Sequence, residues 1–438
     1  MQQAADGGTH ALGTTSDQYD FVFQGGIHDC SRLLSGLRVT SDYNLNTMNI
    51  SALPVPDAAA LNHQERVLAH LHSQIDASGG WISFARYMEL VLYAPGLGYY
   101  SAGAEKFGAA GDFVTAPEMT PVFGQTLARQ IMQILQQSGG NVLELGAGRG
   151  RLAAAVLQEM QRAEALPAQY LILEVSADLK QVQQQYLQAV LPAELLQRVC
   201  WLEQLPESHT GVVLANEVLD AIPVHVLRKQ NGELWELGVV WDAQQGLQWQ
   251  ARPLEEDVQS DAELIKTLTA LALPDDYQTE INLASQALIA SLANCLQQGV
   301  LLLIDYGFSR AEYYHPQRNE GTLMCHYRHH AHGDALLYPG LQDITAHVDF
   351  TAIVQSGLAH GLQVLGYAGQ AQFLINCGIT DLMLRVSPHN VTEYAPMASQ
   401  VQKLLSPAEM GELFKVLALG RGVSGLMGFV RGDRTHSL

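Results

Sequence analysis

The residues best placed for chemistry fall in two short stretches. The first is NVLELGAGRGRL, from Asn141 to Leu152, where Glu144 precedes Gly146, Gly148 and Gly150 on a two-residue spacing. Glycines of this kind let the chain turn sharply and bring bare backbone against a ligand that a Cβ would obstruct. The second is GVVLANEVLDAIPV, from Gly211 to Val224, where Asn216, Glu217 and Asp220 follow an apolar run. An amide and two carboxylates just past a buried strand can orient a nitrogen nucleophile and take its proton. The alternative is purely local: Asn216 caps a helix and Asp220 pairs nearby.

The glycine spacing separates two cofactor classes. A dinucleotide fingerprint, G-x-G-x-x-G, needs glycine at 151, where this chain has Arg151. E-x-G-x-G-x-G instead resembles motif I of class I methyltransferases, which bind S-adenosylmethionine. That cofactor carries an amine and a sulfonium and no pyrophosphate, so the acidic Glu144 makes electrostatic sense. A glycine turn without a ligand is the bland reading. Downstream, Tyr170 to Leu173 reads as a second strand ending in Glu174, with Ser176 as a helix N-cap. Glu174 is placed to accept ribose hydroxyls. Arg198 to Leu202 reads as a third strand, with Leu202 or Glu203 bordering the adenine.

The surrounding elements form a doubly wound sheet. Leu61 to Ala77 and Ile82 to Leu92 read as helices. The turn-rich stretch Pro95 to Pro121 is long enough to suggest a functional loop. Thr120 and Pro121 then open a helix over Val122 to Gln137 that leads into the glycine-turn strand. Val212 to Leu214 is strand four and Val300 to Ile304 strand five, with a helix over Ile281 to Gln297 before it. Leu234 to Trp241 and Leu247 to Arg252 read as a β-hairpin within an insertion that would lie over the cofactor. Leu362 to Ala368 and Leu426 to Val430 supply the last two strands, the final one antiparallel. The expected domains are an extension at 1–47, N-terminal helices and a pocket loop at 48–120, and a core at 121–225 and 299–438. Residues 226–298 are the inserted substrate-recognition subdomain.

Composition limits the function classes. The 438 residues carry 24 Lys+Arg against 44 Asp+Glu, a formal charge of −20. Such a balance excludes a nucleic-acid-backbone binder and anionic membrane surfaces, and suits a basic protein partner. Five scattered cysteines without a C-x-x-C pair argue against a disulfide framework or structural zinc. No apolar run is long enough for a membrane span. Residues 1–47, with five aspartates and two arginines, match neither a transit nor a signal peptide. Met48 would itself make a reasonable start. In CHYRHHAH (Cys325 to His332), His326 and His330 have zinc-like helical spacing but no partner glutamate, so no metal site is expected. Asp343 and His347, in GLQDITAHVDF, are further candidates for proton handling; a structural histidine is the competing reading.

Six motifs in order, YAPGLGYYSAG, KFGAAGDFVTAPEMTPVFG, VLELGAGRGRLA, NEVLDAIPV, IDYGF and GLQDITAHVDF, resemble the MidA-like family of S-adenosylmethionine-dependent methyltransferases. The match spans about residues 80 to 430. The family includes a mitochondrial complex I assembly factor that methylates an arginine of that complex. The resemblance implies a Rossmann-like seven-stranded sheet with its last strand antiparallel, and methyl transfer to an arginine in a partner protein. It further implies that Gly108, Gly111, Asp112 and Glu118 help build the pocket. A bacterial-type cytoplasmic member is expected, with homodimerisation open. Methylation of another protein atom or a small molecule, and a cofactor-binding assembly factor acting by docking, are the alternative readings. Which of Glu217, Asp220, Asp343 or His347 handles the proton stays open.

Overall fold

A computed structural model describes residues 53–101 and 115–438; the expected extension at 1–47 and the pocket residues Gly108, Gly111 and Asp112 lie outside the described residues. Seven strands form the central sheet: β1 (Asn141–Leu145), β2 (Tyr170–Leu173), β3 (Val199–Leu202), β4 (His209–Asn216), β5 (Leu296–Phe308), β6 (Gln363–Gly369) and β7 (Phe414–Arg421). Their spatial order is β3-β2-β1-β4-β5-β7-β6, and the short stretch Val348–Asp349 adds in parallel at the far end of β5. β7 alone runs antiparallel, against both β5 and β6. This is the doubly wound α/β architecture of class I methyltransferases.

The near-continuous apolar strands are buried on both faces because alternate side chains enter opposite layers. Val142, Ile172, Val212, Leu214, Leu302 and Ile304 pack with the helices Pro121–Ser138 and Arg151–Arg162. Their neighbours Leu143, Leu171, Val213, Leu301 and Leu303 pack with Leu283–Cys295 and Phe350–Ala359. The strand ends therefore emerge between two helical layers, and the loops after β1, β2, β4 and β5 meet at one edge.

Several caps expected from sequence are formed. Thr120 Oγ1 accepts from Val122 N and Ser176 Oγ from Leu179 N. Two expectations need correction. Ile82 and Ser83 are not helical: they pair with Val239 and Gly238, and Ser83 caps a helix that begins at Phe84. The last strand is Phe414–Arg421, not Leu426 to Val430, where Met427–Phe429 is a single 3-10 turn. The apolar run at 426–430 is explained by Phe429, whose ring fills the space a side chain at Gly366 would need.

The hairpin expected within the insertion is present as Glu233–Asp242 paired with Gly246–Pro253. With His225–Gln230, Gln278–Ile281 and Ile82–Ser83 it forms a five-stranded sheet. The histidine-rich stretch is also a hairpin, Met324–Tyr327 with His330–His332, turned by left-handed Arg328 and His329. It pairs with Asp343–Thr345, so His326 and His330 are not on a helix. Among the described residues no group of three or more His, Cys, Asp or Glu is arranged to hold a metal, and no helix is long and apolar enough to cross a membrane.

Candidate active site

At the carboxyl ends of β1, β2 and β4 lies a cavity of about 460 Å³, within the range of small-molecule sites. Its floor is the glycine turn. Gly146, Gly148 and Gly150 have φ of 60°, 52° and 83°, the left-handed region that favours glycine. Their surroundings differ. A Cβ on Gly148 would meet no heavy atom within 4 Å, whereas one on Gly150 would lie 3.3 Å from Leu187 Cγ. Gly146 and Gly148 line the cavity. Gly150 does not, and serves as the N-cap of the helix Arg151–Arg162.

Three acidic residues surround this floor. Glu144 is 2% exposed and accepts from the Tyr170 hydroxyl at 2.7 Å, and burial pushes its carboxyl up to about 7. Glu174, raised by burial, is held by Ser176 N at 2.8 Å and Gln183 Nε2 at 2.9 Å. Glu118 forms an ion pair with Arg151 Nε at 2.7 Å. Leu202 does not line the cavity; it packs against the sheet, and its carbonyl accepts from Glu174 N.

The opposite wall carries the second set of sequence candidates. Asn216, Glu217, Asp220 and Asp343 all line the cavity. Glu217 has φ 53°, a costly conformation for a residue with a side chain. Burial, then repulsion from Asp220, pushes its carboxyl up to about 8. Asp220 is likewise raised by burial, against a hydrogen bond from Tyr306. Asp343 accepts from the Tyr100 hydroxyl at 2.8 Å, and Tyr100 stacks on Tyr93, also in the wall, at a centroid distance of 5.5 Å. Asn216 Oδ1 and Asp220 Oδ1 are buried acceptors with no partner.

His347 lies elsewhere. Its ring stacks on Phe308 at 5.2 Å and meets Tyr306 edge-on at 5.1 Å, outside the cavity lining. Burial holds it down to about 4, so it stays neutral through the physiological range.

Asp305, at the end of β5, had no role assigned from sequence. Its Oδ2 accepts from Val218 N (3.2 Å), Leu219 N (2.9 Å) and Asp220 N (3.3 Å). Glu217 N meanwhile donates to Ile304 O at 2.9 Å. Together these bonds pin the loop that carries Glu217 in its left-handed turn. The motif IDYGF contains Asp305, but nothing local says its carboxylate reaches across to a loop some 85 positions earlier. Tyr93, which opens the motif YAPGLGYYSAG, was also missed as a site residue; it is the last residue of the helix Phe84–Tyr93 and lines the cavity.

Bare backbone at Gly148, carboxylates at two strand ends and unpartnered buried acceptors fit a cationic, adenosyl-type cofactor. A sequence profile for S-adenosyl-L-methionine-dependent methyltransferases matches residues 126–368, more than half of the chain. The chain belongs to the MidA-like family of these enzymes. It is 48% identical to a Burkholderia thailandensis protein whose crystal structure holds S-adenosyl-homocysteine, with a TM-score of 0.85 covering 88% of this chain and 100% of that one. It is also similar to "Protein arginine methyltransferase NDUFAF7, mitochondrial" of Rattus norvegicus, 29% identical over 407 residues (83% of this chain, 86% of the relative). The Homo sapiens protein of that name is 28% identical over 390 residues (81% and 83%). The chain is thus a class I S-adenosyl-L-methionine-dependent methyltransferase.

Proposed function

We propose that this methyltransferase acts on an arginine side-chain nitrogen of a partner protein. One observation carries the reading: Glu217, Asp220 and Asp343 converge on one wall of the cofactor cavity beside the unpartnered Asn216 Oδ1. A guanidinium presents five N–H donors in a planar fork, which oxygen acceptors on one wall can satisfy. The stacked Tyr93 and Tyr100 rings add a flat surface suited to a planar cation. The names of the relatives at 28% and 29% identity point the same way.

In this reading Gly146 and Gly148 admit the cofactor, Glu144 and Glu174 hold its polar groups, and Glu118 keeps Arg151 at the rim. Bound S-adenosyl-L-methionine supplies an electrophilic methyl group. Asn216 and Asp220 hold the guanidinium and draw its positive charge away from the attacking nitrogen. As the nitrogen–carbon bond forms and the carbon–sulfur bond breaks, one guanidinium proton leaves. Glu217 accepts it, since a carboxyl poised near neutral pH is a better base than an ordinary one. Asp343, held by Tyr100, supplies a further acceptor on the same wall.

The test is labelled methyl transfer from S-adenosyl-L-methionine into a cell extract, followed by acid hydrolysis of the protein fraction. Label in methylarginine, lost with Glu217→Gln while S-adenosyl-homocysteine still binds, is the expected result. Label confined to small molecules or to other amino acids would overturn the arginine reading and leave the methyltransferase assignment intact.

A further inference from the structure

Residues Gln181, Gln183, Gln184 and Gln185 crowd one turn of the helix Ala177–Val190, and by sequence nothing distinguishes them. The fold does. Gln183 alone among them is buried, at 0% exposure, and its side chain joins two elements of the cofactor wall to the neighbouring strand β3. Trp201 Nε1, on β3, donates to its Oε1 at 2.9 Å. Its Nε2 donates to Gly148 O in the glycine turn at 3.0 Å and to Glu174 Oε2 at the end of β2 at 2.9 Å. An indole N–H can only donate, so the Trp201 bond fixes which end of the amide is oxygen. The NH2 group must then face Gly148 and Glu174. Ser176 N holds the second oxygen of the same carboxylate at 2.8 Å.

We infer that Gln183 is a positioning residue for cofactor binding: it locks the Glu174 carboxylate and the Gly148 carbonyl at one spacing, so that Glu174 meets the ribose hydroxyls already oriented. The inference rests on Glu174 as the ribose acceptor and is independent of the methyl acceptor. Both groups clamped by Gln183 are acceptors facing one another. Without the amide between them, dipole and charge repel, and the carboxylate, at the end of a flexible side chain, is the group that turns away, because Gly146 N still ties the glycine turn to Leu173 O of β2. Pre-orienting the acceptor removes an ordering cost from binding. Both N–H donors of the amide are used in this clamp and its oxygen is engaged by Trp201, and Gln183 does not line the cavity, so it acts on the ligand through Glu174.

The experiment compares binding of S-adenosyl-homocysteine with binding of its 2′,3′-dideoxy analogue by calorimetry. Gln183→Met keeps the volume and removes the clamp. The expected result is a loss of about tenfold or more for S-adenosyl-homocysteine, the scale of one hydrogen bond to a charged group. The analogue, lacking the diol, loses less than about threefold, because only the carboxylate's orientation has changed. In a double-mutant cycle, Gln183→Met costs little once Glu174→Gln is present. Gln183→Glu serves as a second variant. It keeps size and the acceptor for Trp201 but sets a carboxylate against Glu174, so its affinity should recover as pH falls and the pair takes up a proton. Equal losses for both ligands, or full additivity in the cycle, would overturn the inference and reduce Gln183 to helix packing. Failure of Glu174→Gln itself to weaken S-adenosyl-homocysteine would instead remove the ribose role of Glu174.

Discussion

Replacing Gly148 and Gly150 by alanine, one at a time, separates cofactor binding from folding at two positions only two residues apart. Both glycines are left-handed, at φ 52° and 83°, so each substitution carries a backbone cost of roughly 1–2 kcal/mol. At Gly148 that is nearly the whole stability cost, since a Cβ there meets nothing within 4 Å. At Gly150 the methyl sits 3.3 Å from Leu187 Cγ, a side chain with 0% exposure. Overpacking of this kind adds about 1–3 kcal/mol. Gly150→Ala should therefore unfold at the lower temperature of the two. Affinity should rank the other way. The Gly148 methyl enters the open space of the cavity floor, so S-adenosyl-homocysteine should bind at least about tenfold more weakly, a loss of 1.4 kcal/mol or more. Gly150→Ala faces away from the cavity and should keep binding within about threefold while folded. Calorimetric titration with S-adenosyl-homocysteine, together with thermal unfolding by circular dichroism, reads both orders. Unchanged affinity in Gly148→Ala, or an equal loss in Gly150→Ala, would refute the assignment of Gly148 to the ligand floor.

Four further outcomes concern the acidic wall and the residues behind it. Methyl transfer measured as kcat/KM should rise with pH toward about 8, because burial raises Glu217 to about that value and the proposed base role requires the carboxylate form. The same raised value has a stability consequence of opposite direction. Protons bound by the fold stabilise it below the ordinary value of 4.5, and this contribution falls as pH rises through about 8. The thermal midpoint of wild type should accordingly drop relative to Glu217→Gln across that window; parallel midpoints would contradict it. Asp305→Ala leaves the amides of Val218, Leu219 and Asp220 without their acceptor and should cost about 3 kcal/mol or more in urea unfolding. Hydrogen exchange at those three amides should accelerate before exchange in β1 does, and protection equal to wild type would show that the loop holds itself. His347→Gln should leave the pH profile of methyl transfer unmoved, because His347 is neutral and lies behind Tyr306; a displaced profile would return His347 to the proton pathway.

What the sequence by itself determined is what depends on near neighbours. Three glycines two residues apart between an apolar strand and a helix dictate a left-handed turn, since only glycine takes that conformation cheaply. The caps at Thr120 and Ser176 and the hairpin after Glu233 follow from similarly local chemistry. The strands ending in Glu144, Glu174 and Asn216 were legible because both faces are buried, which yields unbroken apolar runs. Tertiary structure decided everything that depends on which run meets which. Leu426 to Val430 has the composition of a strand, yet Phe414–Arg421 takes the slot between β5 and β6, and Phe429 fills the gap over Gly366. His347 looked as suited to proton transfer as Asp343 four residues earlier. The strand Asp343–Thr345 points one into the cavity, and the next turn buries the other between aromatic rings. Gln183 and Asp305 gained their positions from elements far away in the chain. Residue type and spacing record which groups are present, but only packing records which donors face which acceptors.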